Sequence, residues 1–207
     1  MSKIKLYRHP LSGHSHRVEL FLSLLGLKAD IIDVDVMAGE HKQPNFLAKN
    51  IFGQLPVVED GQVTIADSNA ILVFLAIKYD TTRTWFPLKP EEVSEVQRFL
   101  SVAAGSVAYG PAAARLVNVF GAALDHDKTK QIATDLLTTL NDHLWQREWL
   151  ATEKPTIADI ANYAYIAHAP EGGVSLEPYP HVVAWLRRIK ELPGFVPMQK
   201  TAVGLAA

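Results

Sequence analysis

Apolar and polar positions give the two halves of the chain different textures. Up to about Tyr79, short alternating stretches trade places with short helical ones; from about Pro90 the spacing is helical almost throughout. Ile4 and Leu6 alternate with Lys3, Lys5 and Tyr7, the period of two expected of a strand. After the turn-rich His9-Pro10-Leu11-Ser12-Gly13, residues Val18, Phe21, Leu22 and Leu25 recur at helical spacing, and Gly26 stands where a left-handed C-terminal cap belongs. Ile32, Val34 and Val36 alternate with Asp33 and Asp35, which predicts a second strand and a parallel βαβ unit. Residues 44–49 suit a short helix. Leu55 to Glu59 and Gln62 to Ile65 predict two more strands, joined by Asp60-Gly61, a strong signal for a tight hairpin. Ala66-Asp67-Ser68 then opens a helix carrying Ile71, Phe74 and Leu75 on one face. The order β-α-β-α-β-β-α is that of a thioredoxin-like fold.

Asp80 to Pro90 reads as a linker with Trp85 and Phe86 as anchors. A long helical pattern follows from Glu91 to about Gly121, bent near Gly110-Pro111 because proline removes a helical hydrogen bond. Leu137, Leu140 and Leu144 mark another helix, Thr156 to Asp159 form a capping box, and Val182 to Ile189 repeat the helical spacing before Pro193-Gly194. The expected division is an α/β domain over 1–80, a linker over 81–90 and an all-helical domain over 91–207.

Composition narrows the chemistry. The 207 residues carry 20 Lys plus Arg against 22 Asp plus Glu, a net charge of -2, so nucleic acid and anionic membrane surfaces are not expected partners. With no cysteine, a disulfide framework, a protein thiol nucleophile and a cysteine metal site are all excluded. No apolar run reaches the roughly 18 residues of a spanning helix, and the N-terminus lacks the apolar core of a signal peptide, so a cytoplasmic protein is expected. The eight histidines are scattered without metal-ligand spacing, and no metal is expected.

Ser12 lies between the first strand and first helix, where a helix N-terminus offers free N–H groups and partial positive charge to an anion. A plain helix cap is the competing reading. Pro56 opens the third strand; a cis bond before it would turn the Leu55 main chain towards a ligand, whereas a trans bond is the commoner form. Asp67 and Ser68 suit either a cap or the ammonium and carboxylate of one amino-acid head group.

Order and spacing join these signals. Ser12 after the first strand, the run Gly53-Gln54-Leu55-Pro56-Val57-Val58-Glu59-Asp60-Gly61 and the later Ala66-Asp67-Ser68-Asn69-Ala70-Ile71 resemble the glutathione-binding signature of cytosolic glutathione transferases. The helical second half and its capping box are similar to that family's C-terminal domain. The resemblance, to the bacterial serine-type (theta- and delta-like) members, implies a serine hydroxyl at Ser12 that activates the glutathione thiol, ahead of Ser15 and Tyr7. It implies that Leu55, across cis-Pro56, pairs with the cysteinyl backbone, that Asp67 and Ser68 hold the γ-glutamyl head, that Gln54 touches the peptide, and that His41, with Lys42 as rival, meets the glycyl carboxylate. Leu11, Tyr109, Arg115 and Asn118 would line the pocket for a small hydrophobic electrophile. Glutathione would be a co-substrate, with no further cofactor, and the protein a homodimer. Conjugation is the implied activity, with peroxidase activity beside it. A glutathione-binding module without catalysis, and a glutathione-dependent isomerase or dehalogenase, are the alternatives. Ser12-Gly13-His14-Ser15 departs from the Ser-Ser-Cys-Ser run of zeta-like members, which argues against their maleylacetoacetate isomerase activity.

Overall fold

In the computed structural model, which describes residues 3–203, Ile4 and Leu6 point inward from strand β1 (Ile4–Arg8) while Lys3 and Lys5 face solvent. The outer ends of the two expected domains, residues 1–2 and 204–207, lie outside the described residues. Strand β1 pairs in parallel with β2 (Ala29–Asp33) and antiparallel with β3 (Val57–Asp60), which turns back into β4 (Val63–Ala66). The sheet order is β2-β1-β3-β4. A parallel pair needs a crossover, and α1 (Gly13–Leu24) supplies it. A short α2 (Pro44–Leu47) precedes β3, and α3 (Ser68–Tyr79) follows β4. The chain thus combines a thioredoxin-like α/β layer with a helical layer.

The second strand lies upstream of the Ile32–Val36 alternation. Its ladder with β1 ends at the Arg8–Asp33 pair, because β1 itself turns away there. Inward-facing alternation continues past the ladder, with Val34 buried, so the pattern reported burial beyond the limit of pairing.

The helical layer comprises α4 (Pro90–Ala104), α5 (Ala113–Phe120), α6 (His126–His143), α7 (Ile157–Ala167) and α8 (Pro180–Lys190). The bend expected near Gly110-Pro111 is a π-helical turn over Ala108–Ala112. Gly110 is required there: a Cβ would come within 2.9 Å of the Ala133 main-chain nitrogen on α6. Helix α7 is buried from Ile157 to Ile166, the mark of a helix enclosed on all sides, and it packs against α1, α3 and α4. Its N-terminus carries the expected capping box between Thr156 and Asp159, and Asp159 Oδ1 also accepts from Leu150 N–H and Trp185 Nε1, each at 2.9 Å. One continuous core, including Leu6, Phe21, Leu75, Phe99, Ile157 and Trp185, joins the two layers. In the connecting segment Trp85 stacks edge-to-face on Phe21 at 5.4 Å, while its main-chain N–H donates to Asp80 Oδ2.

Candidate functional site

Ser12 leaves β1 in an extended conformation (φ -89°, ψ 121°) and caps α1. Its Oγ accepts from Ser15 N–H at 3.3 Å, and its own N–H donates to His9 O at 3.0 Å. The oxygen being an acceptor in the cap, the hydroxyl proton is free to be donated elsewhere. Ser12 is half-buried, so that proton has access to a ligand. Ser15 is 1% exposed, and its Oγ accepts from His9 N–H at 3.2 Å. The Tyr7 hydroxyl donates to Glu59 Oε2 at 3.0 Å, beside Lys49. Of the three candidate hydroxyls, Ser12 is the one that is neither interior nor committed to a carboxylate.

Gly13 allows this loop to sit where it does. A Cβ at Gly13 would lie 2.8 Å from the ring of Tyr165 on α7. The helical layer therefore presses directly on the residue after Ser12, and the Tyr165 hydroxyl accepts a long, 3.4 Å hydrogen bond from His14 N–H.

Across from this loop, α3 begins. Asp67 holds φ 72° and ψ 126°, a left-handed conformation that costs a non-glycine residue about 1–3 kcal/mol. Its Oδ1 accepts from Asn69 N–H and Ala70 N–H, both at 2.9 Å, and its side chain is exposed to solvent. The cap leaves the Ser68 N–H unused, at the end of a helix whose dipole favours an anion. Ser68 itself is 4% exposed. In the loop before β3 the Leu55–Pro56 bond is cis. Asn50 organises this loop: its Nδ2 donates to Gln54 O at 2.9 Å and its Oδ1 accepts from Phe52 N–H at 3.1 Å. Gln54 is exposed, Leu55 half-buried and Pro56 buried. His41 lies in a short 3-10 turn (Glu40–Lys42) with a buried Nδ1 that has no hydrogen-bond partner, while Lys42 Nζ donates to Phe52 O at 3.1 Å.

The expected electrophile-pocket residues divide. Leu11 is half-buried beside Ser12, and Tyr109, on the π-helical turn, is 68% exposed. Arg115 does not line a pocket. It is 1% exposed, with Nε donating to Glu171 Oε2 at 2.5 Å and Nη1 to Leu11 O at 2.8 Å. Asn118 is likewise a tie, donating from Nδ2 to Glu171 O at 3.1 Å. Both reach the turn over Ala169–Gly172, which packs on α5, Arg115 from the interior and Asn118 from a half-buried position. His9 and Phe120, ring centroids 6.0 Å apart, form an aromatic wall near Leu11 instead. A separate apolar cavity of about 850 Å³, lined by Pro170, Val174, Leu176, Pro180, Val183 and Val203, shares no residue with the Ser12 loop.

Two further side chains belong to the site and escaped the sequence reading. His14 Nδ1 is hydrogen-bonded with Ser68 Oγ at 3.2 Å, and Arg17 Nη1 donates to the same oxygen at 3.0 Å. Burial, helped by the nearby Arg17 charge, holds the His14 imidazole down at about 3, so it is neutral at physiological pH. The available signal was positional. His14, Arg17, Val18 and Phe21 share one helical face, and a charge on an apolar face must be buried with partners.

The chain is similar to known proteins along most of its length. Residues 2–77 match the family model for the glutathione S-transferase N-terminal domain, and residues 102–193 that for its C-terminal domain. Glutathione S-transferase 3 of Zea mays is 34% identical, over 99% of this chain and 96% of its own length. Human glutathione S-transferase theta-2B is 28% identical over 92% of this chain and 82% of its own. A solved glutathione S-transferase structure from Pseudomonas fluorescens superposes with a TM-score of 0.90 at 32% identity, over 96% of this chain and 100% of that one.

Proposed function

Because the chain belongs to the glutathione S-transferase family, we propose that it activates the thiol of glutathione through the Ser12 hydroxyl and transfers the sulfur to small hydrophobic electrophiles. By its family it is an enzyme, a transferase that uses glutathione as co-substrate. One observation carries the serine assignment: Ser12 Oγ accepts from Ser15 N–H in the cap, which leaves its proton free to be donated to an anion before α1.

The energetics are adequate. A free thiol has a pKa of about 8.5, so a few per cent is thiolate at neutral pH; lowering it by about two units requires roughly 2.7 kcal/mol. A hydrogen bond to a charged acceptor contributes about 1.5–3 kcal/mol, and a helix N-terminus about 0.3–1 kcal/mol more. The thiol loses its proton to solvent, the thiolate attacks an electrophilic carbon, and the displaced group leaves with the bonding pair. Ser12 ends as it began, a neutral donor.

The peptide is held at the end of the sheet, beside the loop that enters β3. The Leu55 main chain pairs with the cysteinyl unit in the manner of an added strand. The Ser68 N–H and hydroxyl take the γ-glutamyl carboxylate, and the exposed Asp67 carboxylate takes the ammonium. Gln54 touches the peptide, and His41 with Lys42 lies towards the glycyl end. The electrophile sits against Leu11, Tyr109 and the His9–Phe120 wall. In place of the pocket role expected of them, Arg115 holds the helical layer onto the Ser12 loop, and Asn118 ties α5 to the turn at Glu171.

Exposed Ile51 and Phe52, at 80% and 70%, form an apolar tip that a twofold partner would cover, which supports a homodimer. No helix among the described residues is long and apolar enough to cross a membrane, and a cytoplasmic location suits the family.

The test is turnover of glutathione with chloro-dinitrobenzene and, separately, with an organic hydroperoxide, comparing wild type with Ser12→Ala while glutathione affinity is measured in parallel. Loss of turnover by on the order of a hundredfold with affinity retained supports thiol activation by Ser12. Glutathione binding without turnover in either protein supports the non-catalytic module. Unchanged turnover in Ser12→Ala removes the serine role.

A further inference from the structure

Arg17 is a buried charge near the proposed glutathione site that makes no salt bridge among the described residues; the Asp67 carboxylate acts on it through space, without direct contact. It projects from α1 to the start of α3, is 1% exposed, and donates from Nη1 to Ser68 Oγ at 3.0 Å and Asn69 Oδ1 at 2.8 Å. Its Nε and Nη2 are buried without a hydrogen-bond partner. No carboxylate among the described residues lies within ion-pair distance of it. Asn69 is fixed to serve it: Asn69 Nδ2 donates to Leu100 O at 3.1 Å, which turns Oδ1 towards the guanidinium. Burial lowers the Arg17 pKa to about 10, which leaves it cationic at neutral pH.

An uncompensated buried cation is costly unless an anion is close. The contact that Arg17 does make points to where that anion belongs. A guanidinium has donors and no acceptor, so Arg17 necessarily occupies one lone pair of Ser68 Oγ. His14 Nδ1 lies on the same oxygen at 3.2 Å. Two arrangements satisfy this geometry. In one, Ser68 gives its proton to a bare His14 Nδ1, and nothing is left to donate outward. In the other, a protonated His14 Nδ1 donates to Ser68, both lone pairs are filled, and the Ser68 O–H is forced outward. An anionic ligand before α3 selects the second.

We propose that Arg17 is a positioning residue which, with the Nδ1–H form of His14, fixes Ser68 as a hydrogen-bond donor to the γ-glutamyl α-carboxylate, and so sets the preference for ligands that carry that charge. This rests on the glutathione reading and extends it to a group that never touches the peptide. The carboxylate gains a donor oriented before it arrives, and the guanidinium gains a second negative charge beside that of Asp67.

The experiment is calorimetric titration with S-methylglutathione and with its counterpart whose γ-glutamyl α-carboxylate is a neutral amide. The wild type is expected to prefer the carboxylate by at least tenfold, as a charge-assisted hydrogen bond requires. In Arg17→Met that preference falls to within about threefold while amide affinity changes little, since only the charge term is lost. Equal weakening of both ligands would mean that Arg17 merely packs, and an unchanged ratio would likewise overturn the proposal. A second measurement needs no functional variant. In the nitrogen spectrum of wild-type protein, assigned against His14→Gln, His14 Nδ1 is expected to be protonated with S-methylglutathione bound. A bare Nδ1 in that complex overturns the arrangement even where Arg17→Met does not fold. A wild type that binds neither ligand defeats the glutathione reading itself and this inference with it. Binding of S-methylglutathione with the ratio intact in Arg17→Met defeats the Arg17 role alone.

Discussion

Arg115, on the fifth helix, donates from Nη1 to the main-chain oxygen of Leu11 at 2.8 Å, so the helical layer grips the residue before Ser12. The same guanidinium meets Glu171, whose carboxylate also accepts from the Thr201 N–H and hydroxyl and is paired with His168 Nδ1. Burial opposes ionisation of Glu171, yet hydrogen bonds from Thr201, Arg115 and His168 prevail and hold its carboxyl at about 2. Arg115→Met therefore strands a buried carboxylate and is expected to cost about 3–5 kcal/mol in urea unfolding. The double variant Arg115→Met/Glu171→Gln should recover a large part of that loss. A single-variant cost under about 1 kcal/mol, the range of an exposed pair, would show that the network contributes nothing.

Ser12 and Ser15 are three residues apart and should separate cleanly by assay. Ser15→Ala removes the acceptor for His9 N–H in the interior, and is expected to cost about 1–3 kcal/mol of stability. Turnover per folded molecule should stay within about threefold of wild type, because Ser15 is buried and its Oγ is engaged by His9 N–H. A hundredfold loss in Ser15→Ala with normal stability would reverse the assignment.

Gly13→Ala drives a methyl group into the Tyr165 ring. Over-packing of this kind costs about 1–3 kcal/mol, and the loop carrying Ser12 should shift with it. Turnover is expected to fall more than glutathione affinity does. Tyr165→Phe keeps the offending ring and should not rescue it, whereas Tyr165→Leu should do so in part. Rescue by both, or by neither, would mean that the ring is not the obstacle.

Acid sensitivity follows from two buried imidazoles on the first helix. Burial holds His14 at about 3, and it holds His16 at about 4 despite the hydrogen bond that His16 Nε2 donates to Val196 O. Both values lie below the unfolded histidine value of about 6.5. The unfolded chain thus binds protons that the folded one refuses, and stability present above pH 6.5 is lost as pH falls towards 4 and 3. Unfolding free energies measured between pH 7.5 and 4.5 should decline steadily. His16→Gln should reduce the slope by up to about 1.4 kcal/mol per pH unit, one proton's worth. An identical slope in the variant would contradict neutral burial of His16.

Much of the architecture was legible because local periodicity and turn chemistry agree with the global fold. The Asp60-Gly61 hairpin, the Thr156–Asp159 capping box and the bend at Gly110-Pro111 are short-range features, each decided within a few residues. Ser12 and Asp67 were legible as helix caps for a related reason: N-cap positions have a narrow residue vocabulary. The second strand was displaced because its end depends on where the first strand stops, which alternation within the second does not encode.

What the sequence by itself determined is the set of elements and the helix caps at their ends, since those depend on neighbours in the chain. Tertiary structure alone decided which hydroxyl is free, Ser12 rather than Ser15 or Tyr7, because that depends on acceptors and donors brought from other elements. It also turned Arg115 and Asn118 from pocket walls into ties, and placed Arg17 beneath Ser68, 51 residues away in the chain. A buried charge acquires its partners only when layers close, and hydrogen-bond geometry between distant residues is a property of that closure.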